Sequence, residues 1–200
     1  MAERRGPSPR RGARALAPRK GRRGFIYAYG LFWNADEVSW SPRGEHGQPF
    51  RLLGRHGKQR PSLQVCDFRD QRGIYVLHDD YGPYYVGLVR KGNLGNRLRT
   101  HHQRDRHAGK WQRFSWFGFC PVLAKTVYED GTSALGPVPK ELLTDSRSTI
   151  GDIEALLIQA LGTQKRSNAM QMRFALGEPW EQIPPWDVEK YLGRVAAYVR

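Results

Sequence analysis

The chain has 200 residues, of which 39% are hydrophobic and 12% aromatic, enough for one domain of ordinary size with a packed core. Its 33 Lys and Arg outnumber 19 Asp and Glu, and the net charge of +14 favours a polyanionic partner, nucleic acid ahead of an anionic membrane surface. The two cysteines lack metal-ligand spacing, and no apolar run approaches a membrane span or signal peptide. We therefore predict a cytoplasmic protein without a disulfide framework, zinc site or membrane segment.

Residues 1–23 contain nine basic residues and one acidic residue among prolines, glycines and alanines. Because large apolar side chains are almost absent, this composition predicts a disordered basic arm. The arm either neutralises phosphates of a nucleic acid or is a solvated leader, and the sequence leaves both open.

Residues 24–70 are interpreted as a small β-rich accessory module. Aromatic and smaller or polar residues alternate from Phe25 to Tyr29, and the apolar runs Leu31 to Trp33 and Val38 to Trp40 flank a turn at Asn34. Three or four short strands are expected. The aromatic side chains of this segment can stack on bases or fill a core, and the core interpretation is favoured because so small a module needs every apolar side chain.

The stretch 73–101 reads GIYVLHDDYGPYYVGLVRKGNLGNRLRTH and predicts strand, turn, strand and helix. The apolar runs Gly73 to Leu77 and Tyr84 to Val89 flank Asp, Gly and Pro residues that favour a hairpin turn. Beyond them, apolar residues recur with helical spacing, and Asn93 is a good N-cap for that helix.

The next segment predicts a buried strand, a loop and a second helix. Phe114 to Phe119 is a near-continuous apolar run, typical of a central strand covered on both faces. Residues 129–147 are rich in Gly, Pro, Ser and Asp and predict a long loop. A helix is expected from Ser148 or Thr149 to Leu161, before Gly162.

Glu154 lies in this helix three, four or seven residues from several apolar positions, so we expect it on the side that packs inward. A buried carboxylate requires a cation, an arginine or exposure at the edge of the core. A structural ion pair and a metal ligand are equally compatible with this pattern. Residues 186–199 predict an amphipathic C-terminal helix that packs on the body or forms a homodimer contact.

Taken together, these residues resemble the GIY-YIG nuclease family over residues 70–170. The resemblance rests on Gly73-Ile74-Tyr75, Tyr85-Val86-Gly87, Arg97 with His101 four residues later, Glu154, and Asn168. It implies an α/β fold with a small central three-stranded sheet, antiparallel or mixed, flanked by helices. The implied nuclease domain covers residues 71–175, after the β module and before a C-terminal extension at 176–200.

The resemblance also implies how a phosphodiester would be hydrolysed. Tyr75 would handle the attacking water, Arg97 the scissile phosphate and His101 a proton or the same phosphate. Glu154 would hold one Mg²⁺ whose other ligands are mostly water and substrate oxygens. The remaining implied catalytic residues are Tyr85 and Asn168, and the expected DNA contacts are Arg90, Lys91, Arg99, Arg104 and Lys110.

The expected function is therefore Mg²⁺-dependent endonucleolytic cleavage of DNA, with double-stranded DNA favoured over RNA. A restriction-like or phage-defence role is favoured over structure-specific repair or recombination. The compact chain disfavours the layout of a homing nuclease. A non-catalytic nucleic-acid-binding module and an RNA-directed interaction or toxin-like module are the alternatives.

Overall fold

A computed structural model describes residues 24–41, 50–57, 62–139, 146–161 and 174–193. These residues form a mixed α/β fold with two five-stranded mixed sheets. The predicted arm, 1–23, lies outside the described residues. No helix in the described part is long and apolar enough to cross a membrane.

The described residues form ten short strands and two α-helices. Turns of 3-10 helix occupy Ala35–Glu37, Phe68–Asp70 and Pro185–Asp187. In chain order the strands and helices are β1 Ala28–Asn34, β2 Leu53–His56, β3 Gln64–Asp67, β4 Gly73–His78, β5 Pro83–Val89, α1 Leu94–Gln103, β6 Arg113–Gly118, β7 Val122–Val127, β8 Ser133–Leu135, α2 Ser146–Ala160, β9 Glu178–Pro179 and β10 Glu181–Gln182.

The first sheet has the strand order β5-β4-β6-β1-β9, so the prediction of a three-stranded sheet is wrong. The three expected strands are adjacent and antiparallel, with Tyr75 opposite both Gly87 and Trp116. The sheet is wider because β1, assigned from sequence to a separate module, pairs with β6, and β9 then adds to β1 in parallel.

The second sheet has the order β10-β2-β3-β8-β7. Strand β8 lies inside the segment 129–147, so that segment is not wholly a loop. It pairs with β7 as an antiparallel hairpin and touches β3 at Cys66 and Ser133. Strands from both sides of residue 70 therefore share this sheet as well.

The largest apolar cluster also crosses residue 70. Trp33 and Trp40 from the amino-terminal segment pack in it with Tyr75, Phe114 and Trp116. Burial of these aromatic side chains agrees with the core interpretation, but the core they fill is shared with the segment after residue 70. Phe32 differs, since it is 39% exposed and has a positive φ of 52° at a bulge in the β1–β6 pairing.

The two faces of the first sheet are covered by different elements. Side chains alternate along β4, so Tyr75 and Val76 point to opposite faces. Tyr75 belongs to the large cluster with Leu94 and Leu98 of α1. Val76 packs in a second cluster with Ala155 of α2. Helices α1 and α2 therefore cover opposite faces.

Several local predictions are confirmed. The β4–β5 hairpin forms, Asn93 caps α1 by accepting a hydrogen bond from the backbone N–H of Asn96 at 2.9 Å, and β6 is a buried central strand. Helix α2 begins at Ser146, two or three residues before the predicted start. At the carboxyl end the described residues form short 3-10 and π-helical turns up to residue 193 instead of an α-helix.

Candidate active site

Tyr75 occupies the centre of the β4–β5 hairpin and is fully buried. Its ring lies directly over Gly87 of β5. A Cβ atom on Gly87 would come within 2.1 Å of the Tyr75 ring carbon Cζ, closer than atoms can approach. The glycine of the second tripeptide is therefore required by the position of the tyrosine in the first.

A chain of short hydrogen bonds leads from Tyr75 into helix α1. The Tyr75 hydroxyl lies 2.6 Å from Nε2 of His101, and Nδ1 of His101 lies 2.5 Å from Oδ2 of Asp105. An ionised carboxylate only accepts, so Nδ1 of His101 carries the hydrogen, and in the neutral imidazole Nε2 accepts from the tyrosine. Asp105 thus fixes the imidazole in the tautomer that faces Tyr75.

Asp105 is itself held by the turn after α1. The helix ends at Gln103 with Arg104 as its C-cap, and the backbone N–H of His107 donates to the other carboxylate oxygen, Oδ1, at 2.8 Å. Burial raises the pKa of the Asp105 carboxyl, but the hydrogen bonds from His107 and His101 lower it more, so the net pKa is below its usual range. The carboxylate is therefore ionised at neutral pH.

The pKa of Tyr75 is raised well above its ordinary value. Burial is the largest cause, and interaction with Tyr85 adds to it, whereas the positive charge of Arg97 lowers the pKa. Tyr75 is accordingly a neutral phenol at pH 7. It can pass a proton to His101 but does not hold a standing negative charge.

Tyr85 and His107 complete an aromatic cluster around His101. The Tyr85 ring centroid lies 4.4 Å from that of His107 and 5.4 Å from that of His101. His107 is buried, with Nδ1 3.2 Å from the hydroxyl of Tyr84. Burial lowers the pKa of His107, which is neutral at pH 7.

The basic side chains predicted to contact DNA lie in α1 or in the segments that flank it. Arg97 is exposed on α1, one turn before His101, and its charge reaches Tyr75. Arg99 is half-buried, with its guanidinium 5.5 Å from the centroid of the Phe50 ring and Nε donating to Gln103. The other predicted DNA contacts, namely Arg90, Lys91, Arg104 and Lys110, are exposed.

The two acids of α2, Asp152 and Glu154, differ in burial. Asp152 is the buried one, and its carboxylate accepts from the backbone N–H groups of Phe25 at 2.8 Å and Ala175 at 3.0 Å. Glu154 is exposed, so its predicted inward orientation is wrong. Two residues along a helix are about 200° apart, which puts these side chains on different sides.

Tyr75, Tyr85, Arg97 and His101 are brought together, whereas Glu154 is not joined to them by any contact among the described residues. Its helix covers the sheet face opposite Tyr75. Asn168 lies outside the described residues. No protein-family model, curated protein or solved structure matches this chain.

Asp105 and His107 are the two site residues that sequence reasoning missed. Asp105 stands four residues after His101, a spacing that brings side chains together on a helix and could have identified it. His107 gave no such signal, because its position depends on how the chain turns after Arg104.

Proposed function

We propose that the chain is an endonuclease that hydrolyses phosphodiester bonds of DNA. The observation that supports it best is the hydrogen-bonded chain Tyr75–His101–Asp105, beside Arg97 and within a basic surface. A phenol backed by an imidazole and a carboxylate is a proton-transfer device, and a nearby guanidinium suits a phosphate. The resemblance to the GIY-YIG nucleases adds support, because it rests in part on Tyr75, Arg97 and His101.

Proton transfer in this chain runs from the surface inwards. Tyr75 is fully buried, whereas Tyr85 is half-buried, and the centroids of the two rings lie 6.2 Å apart. Tyr85 is therefore the tyrosine that meets the attacking water, and Tyr75 is the inner link. As the water oxygen bonds to phosphorus, its proton passes through the two hydroxyls to Nε2 of His101, and Asp105 stabilises the imidazolium.

The other half of the reaction requires positive charge at the phosphate and a proton for the leaving oxygen. Arg97 offers a planar fork to two phosphate oxygens and stabilises the charge that develops on them. The bond from phosphorus to the leaving oxygen breaks as the new bond forms, and that oxygen takes a proton from solvent.

Mg²⁺ is the proposed cofactor, and Glu154 is its proposed ligand. The proposal rests on the resemblance, and an exposed carboxylate is the kind of ligand that this ion takes. Helix α2 covers the sheet face opposite Tyr75, however, so the described residues do not bring Glu154 beside a phosphate held by Arg97. Asp152 is excluded from this role because backbone N–H groups already engage both of its oxygens.

Double-stranded DNA is the proposed substrate, and a restriction-like or defence role is preferred to structure-specific repair or recombination. The charge of +14 and the exposed basic side chains around the cluster suit a phosphate backbone. Such contacts carry no sequence information, so the specificity has to come from elsewhere in the chain.

The direct test is to incubate the purified protein with Mg²⁺ and plasmid, branched, single-stranded and RNA substrates, and to sequence the product ends. Cleavage at fixed sites supports restriction, and cleavage at junctions supports repair. Products confined to RNA, or binding without products on any substrate, would overturn the proposal.

The variant His101→Ala should reduce cleavage by about 100-fold or more, the size of one general acid–base contribution. His56→Ala is the matched control, because His56 lies in β2 and contacts Pro179 and Glu178, away from the cluster. Equal losses in the two variants would show that His101 has no special part in the chemistry.

A further inference from the structure

We propose that His101, Asp105 and His107 form a second metal site, one for Zn²⁺ or a similar transition metal, which switches the proton relay off when it is filled. One ring nitrogen from each histidine and one carboxylate oxygen of Asp105 lie within 4.8 Å of one another. The binding half of this proposal is independent of the nuclease assignment, and the inhibitory half rests on it.

The three side chains are close to the arrangement a tetrahedral ion requires. Ligands about 2.0–2.1 Å from Zn²⁺ lie a little over 3 Å apart, so the ligand atoms that are up to 4.8 Å apart have to approach, whereas Nδ1 of His101 and Oδ2 of Asp105, now 2.5 Å apart, have to separate slightly. The two rings are buried and already held, at 4.9 Å between centroids and perpendicular to each other. The Asp105 side chain is 30% exposed, which gives an ion a route in and leaves a position for water.

The donor set and its surroundings select the type of metal. Two imidazoles and one carboxylate suit Zn²⁺, whereas Mg²⁺ prefers oxygen ligands and octahedral geometry. Arg104, Arg106 and Lys110 add positive charge to the neighbourhood, which opposes any cation held by electrostatics alone. Only an ion that gains strongly from nitrogen ligands overcomes that repulsion. This site is therefore distinct from the magnesium position proposed at Glu154.

Filling the site changes the tautomer of His101. The nitrogen beside Asp105 is Nδ1, and a metal on that atom takes the lone pair that becomes available when its hydrogen leaves. A neutral imidazole keeps one N–H, so the hydrogen resides on Nε2, which faces Tyr75. Nε2 then donates to the tyrosine and no longer accepts its proton. His101 then no longer acts as a base, although its ring carries the same number of hydrogens as before.

The binding test uses the full chain without DNA. Calorimetric titration with Zn²⁺ should give one site per chain, and Co²⁺ in its place should give the strong visible absorption of tetrahedral coordination. His107→Gln should abolish both signals, while Tyr75→Phe and the control His56→Gln should retain them. Melting temperature checks that His107→Gln is folded, and Asp105→Asn serves as the second ligand variant if it is not.

The inhibition test adds Zn²⁺ to cleavage reactions that contain excess Mg²⁺. Wild-type cleavage should fall by about 100-fold, the loss of one general-base contribution, and a chelator selective for Zn²⁺ should restore it. The ratio of activity with and without Zn²⁺ should be close to one in His107→Gln. Inhibition that persists in that variant would mean displacement of Mg²⁺ elsewhere and would overturn the switch.

The two halves fail separately. Zn²⁺ binding that is absent, or that is unchanged in both His107→Gln and Asp105→Asn, overturns the metal site whatever the protein cleaves. Zn²⁺ binding lost in those variants upholds the site even if no nucleic acid is cleaved, in which case the nuclease assignment alone is wrong.

Discussion

At the level of single residues, the chemistry of the site depends on which ring nitrogen of His101 carries a hydrogen. The acceptor beside that ring, the carboxylate of Asp105, decides this. Asp105 accepts from the ring of His101 with one oxygen and from the backbone N–H of His107 with the other. The resemblance to the GIY-YIG family predicts Tyr75 and His101, but the link to Asp105 depends on the end of α1 at Gln103 and its C-cap Arg104. The contact with Asp105 sets the tautomer of His101, and neither the composition nor the periodicity of the sequence indicates it.

Asp105→Asn should lower cleavage by about 10- to 100-fold, the usual cost of losing a supporting hydrogen-bond partner. An amide has one accepting oxygen, so it cannot serve both His101 and the His107 backbone, and one donor then faces an NH₂ group. The measurement is kcat together with its pH profile, which a merely structural role would leave unchanged in shape. Asp80→Asn, in the exposed β4–β5 turn, is the control, and parallel behaviour of the two variants would contradict the relay.

His78 provides a residue-scale prediction about stability. Its ring is buried with Nε2 3.0 Å from Ser115 Oγ, and burial, aided by Arg113 and opposed by Asp79, lowers its pKa to about 4. Between the unfolded value near 6.5 and about 4, the unfolded chain binds a proton that the folded chain does not. Full stability is therefore present above pH 6.5 and is lost as the pH falls towards 4.

The check is to follow the free energy of unfolding from pH 7.5 to pH 4.5 in the wild type and in His78→Gln. The wild type should lose more stability over this range, because glutamine does not titrate. Identical pH dependence in both proteins would show that His78 is not responsible.

At the scale of elements, local signals were sufficient where structure is local. The turn formers after β4, the Asn93 cap and the apolar run of β6 each act within a few residues, and each predicted the element correctly. Strands β9 and β10 have two residues each and form by pairing with β1 and β2, which are distant in sequence. The width of the first sheet could not be derived without those long-range pairings.

Helix α2 carries two acids, Asp152 and Glu154. Substitution of the first should reduce stability, and substitution of the second should reduce cleavage. Asp152→Ala should reduce stability by about 2–4 kcal/mol, because buried backbone N–H groups of Phe25 and Ala175 lose their acceptor. Glu154→Gln should leave stability within about 0.5 kcal/mol, as expected for an exposed position. It should nevertheless abolish Mg²⁺-dependent cleavage.

Chemical denaturation measures the stability of both variants, and a plasmid assay measures cleavage by Glu154→Gln. Because Gln removes the charge but none of the Arg and Lys contacts, DNA binding by Glu154→Gln should stay close to wild type. Wild-type cleavage by this variant would remove Glu154 from the site, a result compatible with its position on the sheet face away from Tyr75.

At the scale of the whole molecule, one core joins segments that composition alone divides. Trp33 and Trp40 pack against residues of the β4–β6 sheet, and Trp180 near the carboxyl end enters the same cluster. Aromatic residues spread along a sequence show that a core exists but not which of them meet. Net charge, by contrast, is read directly from the sequence and needs no fold.

That charge supports a prediction for residues 1–23, whose nine basic residues are the densest in the chain. If they neutralise phosphates, deleting them removes roughly three to six contacts, and each should reduce the slope of log K against log salt by about 0.9 on duplex DNA. The truncated protein should bind more weakly at low salt, and the gap should close as salt rises. Phosphate contacts position a protein without specifying sequence, so the cut sites should not change.

Binding at several salt concentrations tests the slope, and end sequencing tests the sites. An unchanged slope would show that the arm stays off the DNA, and altered cut sites would show that it reads bases or groove shape.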